Sequence, residues 1–156
     1  MFMYYNIDIG EEASLLRFIL IFLILFINFE ASASDKLILT RINKMQESDR
    51  IMNSIKKNIL ESDFTKASQN IKNIKNWADI MIQFFPQGSE ASETNFSSAS
   101  NDIWKEFEKF KDNVNIFRAN ANKMFVDAQN NDLNQLTKSF RDTKNTCNSC
   151  HENFRN

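Results

Sequence analysis

The chain has two cysteines and one histidine, and all three stand in one pentapeptide near the C-terminus, Cys147-Asn148-Ser149-Cys150-His151. Two thiols and an imidazole this close could form a disulfide, run redox chemistry, hold zinc or attach a haem. A disulfide across two residues closes a tiny loop and restrains little. A redox dithiol belongs at a helix N-terminus beside a βαβ pattern, and no strand alternation is visible here. A structural zinc needs four ligands, and this set is one short. Two buried cysteines acting as small hydrophobes beside an incidental histidine is the plain alternative. It requires three rare residues to fall into register by chance.

Covalent haem attachment is what C-x-x-C-H signals. Each thiol adds to one haem vinyl group. The two-residue gap on a helix presents both sulfurs to one porphyrin edge, and His151 follows as the proximal iron ligand. The expectation is one haem c per chain, held by two thioethers.

Four elements are available to position that site. Apolar residues recur at three- and four-residue steps from Ile38 to Ile59, from Phe64 to Phe85, from Ile103 to Ala128 and from Leu133 to Phe154. Each set lines one face of a helix. Ser62 or Asp63 can cap the second helix, Ser100 the third, and Asp132 the fourth with Gln135 as its capping-box partner. The segment 86–100 holds the only proline and one of two glycines, so it is the one long loop. The other connections are short, which makes consecutive helices antiparallel neighbours. The fold class is an all-α, up-down-up-down four-helix bundle.

The N-terminus is different in kind. Residues 18–27 carry no polar side chain, Arg17 precedes them and "ASAS" at 31–34 follows. The pattern reads as a signal peptide over 1–33, cut after Ala33, with the bundle over 34–156. The acidic Asp8, Glu11 and Glu12 before Arg17 depart from that pattern, and an uncleaved membrane anchor is the alternative. Cleavage removes Arg17 and four acidic residues, Asp8, Glu11, Glu12 and Glu30, and turns a net charge of −1 into about +2. So mild a charge gives no basis for a nucleic-acid partner. Export places the chain in the periplasm.

The same residues resemble a known family, the class II c-type cytochromes or cytochrome c′ family. "CHENFR" at 150–155 is similar to its closing motif, "FFPQGS" at 84–89 to the turn that ends its second helix, and "IW" at 103–104 to the start of its third. The resemblance runs from about Leu37 to Arg155. It implies that the distal residue comes from the first helix, and in the family's open-site branch that residue lies four positions after an arginine that meets a haem propionate. "RINKM", Arg41 to Met45, has that spacing. Met45 also lies on the apolar stripe, so it is either core or the sixth iron ligand. Met52 and Met124 are its rivals.

Arg41 is then a propionate partner or a surface arginine. Arg155 resembles the family's arginine near the proximal site. Trp104, Phe84, Phe85 and Phe154 wall the haem or are plain core. Most of the family leaves the distal position open, and a low-spin branch places a methionine there. With Met45 as that methionine, the resemblance implies a low-spin carrier of single electrons between periplasmic redox partner proteins, with iron on His151 and Met45, and no enzyme activity. The alternative is a high-spin protein that binds nitric oxide or carbon monoxide at an open distal site. The family also implies a homodimer through the first two helices, although no second apolar stripe is visible there.

Overall fold

The computed structural model describes the backbone from Ile9 onward and the side chains from Asp35 to Asn156. The side chains of the segment read as a signal peptide, 1–33, lie outside the described residues. The chain divides into two compact units, Met1–Lys36 and Leu37–Asn156, and the second is the bundle. Among the described residues no helix is long and apolar enough to cross a membrane.

The helices are α1 (Ile9–Leu60), α2 (Phe64–Ile80), α3 (Asp102–Lys105), α4 (Phe107–Gln129) and α5 (Leu133–Phe154), with a 3-10 turn at Met81–Phe84. α1, α2, α4 and α5 form the four-helix bundle. Among the described residues the only β pairing is a single bridge, Ala99 to Arg155.

Local chemistry sets the ends of the helices. Asp63 accepts a hydrogen bond from the Lys66 backbone N–H at 3.0 Å and so caps α2. Asp132 accepts from the Gln135 N–H at 2.9 Å and caps α5. Each carboxylate occupies a helix N-terminus, where unpaired N–H groups favour an anion. Ser62 and Asn131, with φ of 54° and 55°, take the left-handed conformation that reverses the chain before each cap.

The apolar stripes face inward. Ile55 of α1, Ile71 and Ile74 of α2, Phe110 and Met124 of α4, and Leu136 of α5 are at most 1% exposed and belong to one core. Burying side chains of this size contributes about 1.5–3 kcal/mol each. Two boundaries differ from the sequence expectation. The second stripe passes from α-helix to a 3-10 turn after Ile80, and Phe85, restricted by the Pro86 that follows it, is extended in φ at −123°. The third helix is broken at Glu106, with φ −119° and ψ 44°. Ser100 accepts from the Asp102 N–H at 3.2 Å, so the residue expected to cap a long third helix serves the short α3 instead. The break allows Ile103 of α3 and Phe110 of α4 both to be buried.

Residues 86–100 form a strap over one end of the bundle. The Ser100 N–H donates to the Phe154 carbonyl and the Asn156 N–H to the Ser98 carbonyl, each at 2.9 Å. These bonds lock the strap to the end of α5, the helix that carries the pentapeptide.

Candidate functional site

Cys147 and Cys150 lie three residues apart on α5, and His151 lies four after Cys147, so all three lie on neighbouring turns. Both cysteines are free thiols, half-buried against the core. Burial pushes each thiol up to about 11, with the Asp49 carboxylate adding to the effect at Cys147. Such thiols stay protonated at neutral pH, which is the opposite of a redox-active dithiol. Burial, and after it the Arg155 charge, lowers the pKa of His151. Its imidazole is therefore neutral and keeps a nitrogen lone pair for a metal.

Beside His151 lies a cavity of about 640 Å³. That volume lies within the range of small-molecule and cofactor sites. α1 lines it with Ile42, Met45, Gln46 and Asp49, one face at helical spacing, together with Arg41 and Arg50. Met81, Phe85, Ser98, Ala99, Ile103 and Phe110 form the wall between. α5 lines it with Cys150, His151, Phe154 and Arg155.

The structure thus brings Arg41, Met45, Cys150, His151 and Arg155 onto one cavity. Cys147 and Trp104 pack against the core outside that lining. The Trp104 Nε1–H is buried without a hydrogen-bond partner. Met52 and Met124, the rivals of Met45, also lie outside it, and Met124 is fully buried. Phe84 turns to Trp77, with ring centroids 5.3 Å apart, whereas Phe85 and Phe154 reach the cavity.

Arg41 is 3% exposed, so it is no solvated surface residue. Its Nη1 donates to the Phe84 carbonyl at 2.9 Å and to Ser89 Oγ at 2.8 Å. Its Nη2 donates to the Ser89 carbonyl and to Ser97 Oγ, each at 2.7 Å. The guanidinium carbon lies 4.6 Å from the centroid of the Phe85 ring. All four partners are neutral oxygens of the 84–97 segment, and burial lowers the pKa of Arg41. The fork is built into the strap.

Sequence reasoning missed Met81, Gln46, Asp49 and Arg50 as cavity residues. The last three were legible as one and two turns beyond Ile42 and Met45. Met81 was visible only as another residue of the second stripe.

The residues fit a haem c. Two unpaired, protonated thiols and one neutral imidazole stand beside a largely apolar cavity of adequate volume, and Cys150 and His151 line it. A four-helix bundle with one C-x-x-C-H on its last helix beside such a cavity is a class II c-type cytochrome. A family model described as Cytochrome C′ matches residues 36–155, and the chain belongs to the cytochrome c′ family. As a member, it carries one covalent haem c.

Cytochrome c-554 of Cereibacter sphaeroides is 32% identical over 90 residues, a match that spans 58% of this chain and 57% of that protein's length. Cytochrome c′ from Rubrivivax gelatinosus superposes with a TM-score of 0.71 at 17% identity, covering 79% of this chain and 97% of the other. A nitric oxide complex of a mutant cytochrome c prime from Alcaligenes xylosoxidans superposes with a TM-score of 0.70 at 20% identity, covering 78% and 94%. At these identities the likeness to solved structures establishes the fold.

Proposed function

We propose that this chain is a periplasmic monohaem cytochrome whose distal position, on the Met45 side, accepts nitric oxide or carbon monoxide. The observation that carries the proposal is the cavity of about 640 Å³ that His151 lines, which leaves room beside the proximal residue for a small ligand. A bound haem supplies an iron that exchanges one electron and takes diatomic ligands. The work of the chain follows from its own residues. Cys147 and Cys150 anchor the group through thioethers, and neutral His151 offers its lone pair to the iron. Ile42, Phe85, Ile103 and Phe110 give the cavity an apolar wall. Met45, on the same wall, would be the side chain that yields to a gas. The nitric oxide complex known for a structural neighbour supports this reading.

One-electron carriage between redox partner proteins is the second reading, and the position of Met45 favours it. A thioether on the distal side raises the reduction potential and fills the sixth position. Visible spectra separate the two readings. Ready carbon monoxide uptake by the reduced protein supports gas binding. A low-spin spectrum that carbon monoxide leaves unchanged supports the carrier.

A further inference from the structure

The cavity holds a second thioether. Met81 is 7% exposed and lines the same space as Met45 and His151. Among the described residues these two are the only methionines on its wall. We propose that Met81 is a reserve distal ligand, able to occupy the sixth iron position when Met45 leaves it. The inference rests on the haem and Met45 assignments above, and it concerns the gas-free protein when the Met45 sulfur is away from the iron.

Three observations converge. The first is chemical. Apart from Cys150 and His151, which would hold the haem, the other polar side chains on the wall offer a carboxamide, a carboxylate, a hydroxyl and guanidinium groups. Met81 is the one besides Met45 with a soft, neutral donor of the kind that c-type haem iron accepts.

The second is the local backbone. Met81 opens the 3-10 turn Met81–Phe84 rather than continuing α2. Short 3-10 pieces are frequent at helix ends. A methionine side chain adds three rotatable bonds, so its sulfur can sweep without moving its Cα.

The third is the anchoring of that turn. Arg41 binds the Phe84 carbonyl and lies over Phe85, whose ring packs on Phe110 at 4.8 Å. The base of Met81 is therefore held while its side chain faces the open volume.

The test uses oxidised holoprotein and the sulfur-to-iron charge-transfer band. Met81→Leu keeps the volume and should leave the wild-type band in place. Met45→Ala should retain a shifted sulfur band and a six-coordinate, low-spin spectrum. Met45→Ala with Met81→Leu should lose the band, turn high-spin and bind carbon monoxide at least tenfold more tightly than Met45→Ala alone. A high-spin Met45→Ala protein without the band overturns the reserve role and leaves Met45 as the distal ligand. Loss of the band in Met81→Leu alone makes Met81 the resting ligand, which overturns the proposal and the Met45 assignment together. A wild type with no sulfur band removes the ligand role from both residues.

Discussion

Arg41 of α1 and Ser89 of the strap are joined twice, through Nη1 to the serine hydroxyl at 2.8 Å and Nη2 to its carbonyl at 2.7 Å. The two residues lie 48 positions apart in the chain. This pair closes the strap onto the helix that also carries Met45, one turn further along. It leaves the terminal nitrogens of Arg41 committed to the protein itself.

Arg41→Met should therefore cost stability through unsatisfied acceptors as well as lost charge. Removing the fork strands the Phe84 carbonyl and weakens the setting of Ser89 and Ser97, at about 3 kcal/mol in total. Arg41→Lys should recover only part of this loss, because an ammonium cannot reproduce a planar fork. Chemical denaturation of the holoprotein measures both. Equal stability of Arg41→Lys and wild type would show that charge alone suffices.

The Asp63 cap should be visible in the acid limb of stability. The Lys66 ammonium hydrogen bond, followed by the Lys66 backbone N–H, holds the Asp63 carboxyl below its ordinary value. A depressed native pKa means stability that is present above the unfolded value and lost as pH falls through the native one. Wild type should melt higher than Asp63→Ala at neutral pH, and the gap should close below about pH 4. Asp63→Asn should lie between them at neutral pH, since asparagine also caps well.

The haem motif was legible because attachment is a local matter of three residues within one helical turn and a half. Met45 was legible because its stripe and its spacing from Arg41 agree. The partners of Arg41 were not, since all four acceptors come from residues 43 to 56 positions away. Nothing local distinguishes an arginine bound for the strap from one bound for a haem carboxylate. Met81 escaped notice because a methionine on the second apolar stripe reads as core, and it is indeed buried with Ile74 and Ala78 while also lining the cavity. Trp104 was singled out because "IW" at 103–104 resembles the start of the family's third helix. The break at Glu106 starts a new helix just beyond it, and the indole lies outside the cavity lining.

Replacing Cys147 or Cys150 with Ala should abolish double thioether attachment and leave little folded protein. The core packs partly against the space that the haem fills, so an empty cavity of this volume is strongly destabilising. Haem staining on a denaturing gel reads attachment, and far-ultraviolet circular dichroism reads folding. A haem-free variant as helical and as stable as wild type would mean that the bundle does not depend on its cofactor.

Export should remove residues 1–33, the apolar run and the small residues that follow it. Intact-mass spectrometry of protein from the native compartment should find a chain beginning at Ser34 with one haem added. A mass retaining Met1 to Ala33 would make this a membrane-anchored cytochrome.

The account turns on Met45 guarding the position that His151 leaves open. Carbon monoxide titration of reduced protein in the Met81→Leu background tests it most directly, because no second thioether then masks the result. Adding Met45→Ala should raise affinity at least tenfold, about 1.4 kcal/mol, and produce a high-spin spectrum before gas is added. Adding Met52→Ala instead should change neither. Equal carbon monoxide affinity and an unchanged spin state with and without Met45 would contradict the assignment.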